Sequence, residues 1–136
     1  MTDVDFHIIL GIKNLDYRTK FEKFPNVEIF DFFYNQNDYL RIVKKCDIVI
    51  ARSGSSIFEF EVFGLYMILI PHPSTGNNHQ YWNAKAFEKK GNDLIEQKNI
   101  SDLKSVMEKY RIFKKSPEKI VVDMSIFDTI TQTLFK

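Results

Sequence analysis

The chain has 136 residues, of which 44% are apolar and 27% are charged, as is typical of one globular domain rather than a disordered chain. Lysine and arginine number 19 and aspartate and glutamate 18, so bulk charge gives no indication of a nucleic-acid or acidic-lipid partner. The single cysteine excludes an internal disulfide and a multi-cysteine zinc site. The N-terminus carries acids where a secretory signal carries bases, so we expect a cytoplasmic protein.

Short β-rich runs alternate with helical stretches along the chain. The predicted strands are residues 5–10, 27–32, 47–51, 66–70 and, more weakly marked, 93–96. The predicted helices are residues 17–24, 38–45, 56–63, 79–90, 101–110 and 124–135. Several strands are nearly continuous apolar runs, as in strands that helices cover on both faces. The alternation predicts a single α/β domain over residues 1–136, with a Rossmann-like, doubly wound parallel sheet.

Two loops follow predicted strands and contain most of the candidate functional residues. The first loop reads RSGSS over residues 52–56, and the second reads PHPSTGNN over residues 71–78. In open α/β sheets, ligands bind beyond the carboxyl ends of the strands, which is where both loops fall. The sequence therefore predicts one ligand site built from these loops.

The first loop has the composition of an anion site. Free amides at the start of a helix attract a phosphate, and Gly54 lets the backbone approach it closely. Glu59, one turn further on, has the position of an acid that accepts ribose hydroxyls. A second interpretation needs no ligand, because Ser56 and Glu59 have the spacing of a capping box. Arg52 suits either a phosphate or a neighbouring acid.

The second loop leads into a helix whose first turn is rich in amides. His79, Gln80 and Asn83 can share one helix face, from which they could contact sugar hydroxyls or phosphate oxygens. Alternatively, an asparagine of the preceding loop caps the helix and these side chains are only solvated. Trp82 and Phe87 are expected to lie in the core.

Several other chemistries have no support in the sequence. It contains no phosphate-loop motif, no G-x-G-x-x-G fingerprint and no G-x-S-x-G turn. Its three histidines lack zinc-site spacing, so we expect no metal and no cofactor. His7 is expected in the core or at a sheet edge, and Cys46 as a small buried residue.

Residues 46–91 resemble the donor-binding lobe of the MurG-type UDP-N-acetylglucosamine transferases, which belong to glycosyltransferase family 28 and have the GT-B fold. The positions that match the family pattern are Asp47, Arg52, Gly54, Glu59, Gly64, Pro71, Gln80, Asn83, Ala84 and Gly91. The flanking segments are also similar, so the resemblance covers nearly the whole chain. Tyr66 departs from the pattern by replacing the usual proline, and the stretch from Arg52 to Glu59 is one residue shorter than in the family.

The resemblance implies roles for individual residues in binding UDP-N-acetylglucosamine. Arg52 and the turn formed by Ser53, Gly54, Ser55 and Ser56 would hold the diphosphate, and Glu59 would accept the ribose hydroxyls. His79, Gln80 and Asn83 would contact the sugar end. Backbone groups within residues 33–36 would bind uracil. No metal held by the protein is implied, and no catalytic residue is assigned.

The same resemblance indicates which parts of the enzyme this sequence does not contain. It lacks the family's first donor-lobe strand with its glycine-rich loop, and it lacks the acceptor-binding lobe. We therefore expect the chain to be inactive alone and to need an acceptor lobe or a membrane-associated partner at the inner face of the membrane. A homodimer through an exposed sheet edge, expected at the strand that begins with Asp5, is a further possibility. The alternatives are a nucleotide-sugar hydrolase or epimerase of the same fold, and a non-catalytic interaction module.

Overall fold

A computed structural model describes residues 4–73, 76–113 and 119–123, which form one parallel sheet covered by helices on both faces. The strands are β1 (Asp5–Ile9), β2 (Val27–Phe30), β3 (Ile48–Ala51), β4 (Tyr66–Leu69), β5 (Asp93–Leu94) and β6 (Lys119–Asp123). Their order in the sheet is β2-β1-β6-β3-β4-β5, and every neighbouring pair is parallel. The doubly wound α/β fold predicted from the sequence is confirmed.

Helices follow most strands and cover the two faces of the sheet. Their bounds are α1 (Arg18–Phe21), α2 (Gln36–Val43), α3 (Ile57–Val62), α4 (His79–Glu88) and α5 (Leu103–Phe113). Successive residues of a strand point to opposite faces, so Ile48 and Ile50 pack in one core with α1 and α5. Val49 and Ala51 pack in the other core with α2, α3 and α4. This two-sided burial explains why the central strands are apolar at every position.

Tyr66 shows how the chain accommodates its departure from the family pattern. It begins β4, and its ring stacks on the ring of Tyr110 in α5 with centroids 4.6 Å apart. An aromatic pair of this kind stabilises the contact between the start of β4 and the helix that covers it.

The centre of the sheet is formed by β6, a strand that the sequence analysis did not predict. Lys119–Asp123 pairs with β1 on one side and with β3 on the other, and Ile120, Val121 and Val122 are fully buried. In the usual doubly wound order, 3-2-1-4-5-6, the first strand of the unit holds this central position. Here a segment from late in the chain fills it. The run of three β-branched residues was the available signal for the strand.

Three other expectations need correction or lie outside the described residues. The strand that begins with Asp5 is not an edge strand, because β2 and β6 flank it, and the described sheet ends at β2 and β5. Trp82 is not a core residue, since 63% of its surface is exposed, whereas Phe87 on the same helix is buried. The predicted helix over residues 124–135 lies outside the described residues.

Candidate functional site

A cavity of about 670 Å³ opens at the carboxyl ends of β1, β2 and β3. The residues that line it come from the loops after these strands and from the first turns of α2 and α3. They are Ile9, Gly11, Phe32, Phe33, Asn35, Gln36, Tyr39, Ser55, Ser56 and Glu59. The cavity therefore lies where the fold places ligands, and it includes the first predicted loop.

One wall of the cavity is aromatic and is held by local contacts. Phe33 stacks on Phe30 of β2, with centroids 5.5 Å apart, and meets Tyr39 of α2 edge to face at 5.9 Å. Asn35 fixes the start of α2, because its side chain accepts a hydrogen bond of 2.8 Å from the Asn37 amide. The backbone of residues 33–36 is thus held against the cavity, with aromatic rings beside it.

The opposite wall carries Glu59, whose side chain is not part of a capping box. The Ser56 side chain makes no capping hydrogen bond to α3. The Glu59 carboxylate instead accepts a hydrogen bond of 3.3 Å from the Gln36 side chain. The prediction that Ser56 and Glu59 form a capping box is therefore wrong, and Glu59 faces the cavity.

The cavity has an uneven distribution of charge. Among the described lining residues, Glu59 is the charged one, and no lysine or arginine accompanies it. Hydroxyls of Ser55 and Ser56 supply neutral donors at the β3 end. A side chain at Gly54 would meet no heavy atom within 4 Å, so this side of the turn is open to an approaching group. The lining suits a ligand with an aromatic ring and vicinal hydroxyls at one end.

Arg52 makes its contacts away from this cavity. Its Nη1 donates to the carbonyl oxygens of Ile70 at 3.1 Å and Pro71 at 3.2 Å, and its Nη2 donates to Gln97 Oε1 at 2.9 Å. Burial lowers the pKa of the guanidinium from its ordinary value. The phosphate or acidic partner considered for Arg52 is replaced here by backbone carbonyls and an amide.

Ser53, Gln80 and Asn83 form a network that joins the β3 loop to the start of α4. Ser53 is fully buried, and its Oγ donates to the Gln80 carbonyl at 2.5 Å. Asn83 Nδ2 donates to the Ser53 carbonyl at 3.1 Å, and Gln80 Oε1 accepts from the His72 amide at 2.8 Å. The amides of α4 are therefore engaged in holding loops together as well as being placed near the strand ends.

Two residues in left-handed backbone conformation directly precede α4. Asn77 and Asn78 both have φ of 55°, which asparagine tolerates better than most residues. Asn78 occupies the N-cap position without a side-chain hydrogen bond, so the expected asparagine cap is not formed. His79, the first residue of α4, is exposed.

A second, smaller cavity of about 390 Å³ lies beyond this network, at the ends of β4 and β5. Its lining combines prolines, an aromatic ring and polar groups. The lining residues are Pro71, His72, Pro73, Asn78, Tyr81, Glu96, Gln97 and Lys98. Two cavities therefore open at the carboxyl ends of the strands. The hydrogen bonds among Ser53, Gln80 and Asn83 connect the β3 loop, which borders the first cavity, to the start of α4, which borders the second.

The structure divides seven of the nine predicted site residues into two groups, and the other two, Gly54 and His79, line neither cavity. Ser55, Ser56 and Glu59 line the first cavity, whereas Arg52, Ser53, Gln80 and Asn83 make internal hydrogen bonds. Their assignment to ligand binding stays a prediction. The sequence analysis did not predict the lining residues Ile9, Gly11, Phe32 and Tyr39, whereas Gln36 lies within the range 33–36 that it named for uracil. The signal for Gly11 was a glycine directly after a predicted strand, where φ is 77°.

One titratable residue outside the site, Cys46, behaves as a structural group. Cys46 is buried, and desolvation raises the pKa of its thiol to about 12, as expected for a small core residue.

In the described ranges, His, Cys, Asp and Glu do not cluster in threes as a metal site would require. None of the helices described is long and apolar enough to cross a membrane.

Together, the parallel sheet and the cavity beyond its strands define a doubly wound α/β domain of the kind that binds nucleotides and related ligands. Comparison with known proteins narrows this class. The chain belongs to the glycosyltransferase family 28 C-terminal domains, which it matches over residues 3–127. The resemblance seen in the sequence is thereby confirmed.

Curated relatives carry one shared description. A protein of a Sulfurihydrogenibium species is 32% identical over 136 residues, covering 95% of this chain and 37% of the relative. One of Caldicellulosiruptor saccharolyticus is 30% identical over 131 residues, covering 96% and 30% respectively. One of Rickettsia akari is 45% identical over 78 residues, covering 56% and 20%. Each is named UDP-N-acetylglucosamine–N-acetylmuramyl-(pentapeptide) pyrophosphoryl-undecaprenol N-acetylglucosamine transferase.

The chain spans about a third of the length of the first of these relatives. No solved structure matches it significantly. Sequence similarity is therefore what shows the family of this chain.

Proposed function

We propose that this chain is the donor-binding part of a glycosyltransferase that moves N-acetylglucosamine from UDP to a polyprenyl-linked acceptor. The observation that carries the proposal is the cavity in which Glu59 faces the backbone of residues 33–36, in a chain of glycosyltransferase family 28. The names of the curated relatives supply the sugar and the acceptor class.

The first cavity suits the uridine part of the donor. The Glu59 carboxylate can accept hydrogen bonds from both ribose hydroxyls, because each carboxylate oxygen has more than one acceptor position. The uracil ring would lie against the aromatic wall at Phe33 and Tyr39, with its polar edge toward the backbone of residues 33–36. An aromatic wall and a hydroxyl-binding acid on opposite sides match the two ends of a nucleoside.

The diphosphate would lie at the turn formed by Gly54, Ser55 and Ser56. Gly54 leaves the turn open, and the two serine hydroxyls line the cavity beside Glu59. Donors fixed in the protein before the reaction stabilise charge that develops on the leaving UDP without reorganisation. No lysine or arginine lines this cavity among the described residues, so neutral donors would supply most of the stabilisation.

The sugar end would lie toward the start of α4, where His79, Gln80 and Asn83 begin the helix. The hydrogen bonds that the Ser53 hydroxyl and the His72 amide donate to Gln80 hold this turn at a fixed distance from the β3 loop. A turn fixed in this way would orient the reacting sugar. Orientation of this kind contributes strongly to transfer rates.

The acceptor and any catalytic base would come from another lobe or chain. The described cavities would receive the donor, and no residue here is assigned to acceptor activation. We propose that the partner is an acceptor-binding lobe, and that it brings this domain to the cytoplasmic face of the membrane.

Calorimetric titration with UDP-N-acetylglucosamine, UDP and GDP tests the donor site. We expect binding of both uridine ligands, little binding of GDP, and loss of at least tenfold in affinity in Glu59→Ala, since one hydrogen-bonded charged group contributes about 1.5–3 kcal/mol. Glu61→Ala is the matched control, because Glu61 lies on the same helix but pairs with Lys90 on the surface. Absence of heat with every ligand at millimolar concentration would refute the proposal.

A further inference from the structure

The guanidinium of Arg52 joins the three loops that follow β3, β4 and β5. It donates to the carbonyl oxygens of Ile70 and Pro71 and to the side chain of Gln97. Both terminal nitrogens are thus occupied by groups of neighbouring loops. Its remaining Nε is buried. We call this set of contacts the Arg52–Gln97 latch.

The latch lies apart from the first cavity, the proposed uridine site. The loops after β1, β2 and β3 line that cavity, and Arg52 is not among its lining residues. The latch reaches in the opposite direction along the sheet, toward β4 and β5, and Pro71 and Gln97 line the second cavity. The two terminal nitrogens are held by these hydrogen bonds, whereas Nε is buried without a hydrogen-bond partner among the described residues.

A short chain of contacts connects the latch to the start of α4. Pro71 is followed directly by His72, whose amide donates to the Gln80 side chain at 2.8 Å. The Gln80 carbonyl in turn accepts the hydrogen bond of the buried Ser53 hydroxyl. A shift of the Pro71 carbonyl would therefore move the backbone that orients Gln80.

We propose that Gln97 and Arg52 are positioning residues, whose latch fixes the loop after β4 and thereby the turn of α4 that receives the donor sugar. The part of this inference that concerns the sugar rests on the proposed function. Gln97 makes the latch complete, because its amide oxygen is the side-chain acceptor that Arg52 finds on the β5 side. Without that acceptor, one guanidinium nitrogen would be left partly buried and unpaired, which favours a different side-chain position.

The test compares Gln97→Leu with Gln97→Glu and with the control Lys104→Leu. Leucine removes the acceptor, whereas glutamate keeps an oxygen that the guanidinium can bind with a stronger, charge-assisted bond. Lys104 is exposed on the neighbouring helix α5, so its replacement controls for a new leucine on this side of the molecule. Two quantities are measured: the exchange rate of the His72 amide by NMR, and the affinities for UDP and UDP-N-acetylglucosamine by calorimetry.

We expect Gln97→Leu to raise the His72 exchange rate about tenfold, as loss of about 1.4 kcal/mol of local stability would do. Exchange at Ile57 in α3 should stay unchanged. Affinity for UDP-N-acetylglucosamine should fall about tenfold while that for UDP is kept, and Gln97→Glu should behave like the unmodified chain. Lys104→Leu should change neither quantity.

Unchanged exchange at His72 in Gln97→Leu would overturn the inference, and so would an equal loss of affinity for both ligands. The latter result would mean that Arg52 or its loop serves the diphosphate. If the unmodified chain binds neither ligand, the proposed function fails. The His72 exchange rate still decides whether the latch holds the loop, so the two failures are distinguishable.

Discussion

Gln36 and Glu59 face each other across the first cavity, with Gln36 Nε2 donating to Glu59 Oε1 at 3.3 Å. Gln36 begins α2 and Glu59 lies in α3, so the bond links the two walls of the cavity. It also leaves the second carboxylate oxygen of Glu59 without competition from Gln36. An acid oriented in this way would be prepared for the ribose hydroxyls of the proposed donor, because less freedom would be lost on binding.

Replacement of Gln36 by leucine is expected to weaken UDP binding about three- to tenfold, the effect of losing one hydrogen bond of about 0.5–1.5 kcal/mol. Calorimetry measures the affinity. Asn37→Leu is the control, since Asn37 is the next residue of α2 but does not line the cavity. An unchanged affinity in Gln36→Leu would show that Glu59 needs no support from the opposite wall.

Gly54→Ala is expected to separate ligand binding from folding. A Cβ at Gly54 would meet no protein atom within 4 Å, and this glycine is not among those with positive φ, so alanine should fold without strain. The free energy of unfolding should stay the same or rise by about 0.4–1 kcal/mol, because alanine restricts the unfolded chain. UDP affinity should fall at least tenfold if the methyl group fills the space intended for a phosphate.

Denaturant unfolding and calorimetry on the same Gly54→Ala preparation provide both measurements. Gly64→Ala is the comparison variant, because φ of Gly64 is 70° and alanine is strained there. It should therefore lose stability. Full retention of UDP affinity in Gly54→Ala would place the diphosphate elsewhere.

The central strand β6 is expected to be indispensable for stability. Ile120 is fully buried between β1 and β3, so Ile120→Ala should lower the free energy of unfolding by about 2–5 kcal/mol. Lys119→Ala, on an exposed residue of the same strand, should change it by less than about 0.5 kcal/mol. Urea unfolding followed by circular dichroism measures both, and a small effect of Ile120→Ala would mean that β6 is not essential to the sheet.

The elements that the sequence predicted correctly are those in which local pattern and tertiary burial agree. The apolar runs of β3 and β4 are buried on both faces, and their short, continuous apolar character identifies them as strands of a sheet covered on both sides. The C-terminal end of α4 was harder to place. The predicted helix continues to residue 90, whereas the amides of Gly91 and Asn92 donate hydrogen bonds to the carbonyls of Glu88 and Phe87 and the helix ends at Glu88. The start of α2 depends on the Asn35 cap. The stripe of apolar residues from which this helix was predicted does not reveal that cap.

The central position of β6 could not be derived from periodicity. A strand's place in a sheet depends on pairing with β1 and β3, which are distant in sequence, and Lys119–Asp123 carries no mark of its partners. The candidate site shows the same limit. Residue types and spacing located the two loops, but the direction of the Arg52 side chain depends on Gln97, which lies 45 positions further along.

His7 is expected to make the stability of the domain depend on pH. Burial lowers the pKa of its imidazole below 6.5, and this effect exceeds the opposing attraction of Glu28, which lies 3.3 Å from Nδ1. Asp5 also raises this pKa, while Lys119 and Lys45 lower it. Because the unfolded chain binds the proton more readily than the folded chain, His7 favours folding above pH 6.5. That contribution is lost as the pH falls from 6.5 toward the lower folded-state value.

The matching measurement is the free energy of unfolding between pH 5 and 8 for the unmodified chain and for His7→Asn. Other groups titrate in both proteins, so the difference between the two curves isolates the contribution of His7. We expect the unmodified chain to lose stability relative to His7→Asn as the pH is lowered through this window. His79→Asn is the matched control, because it makes the same substitution at an exposed position outside the sheet. Parallel curves for His7→Asn and the unmodified chain would show that Glu28 compensates the burial of the imidazole.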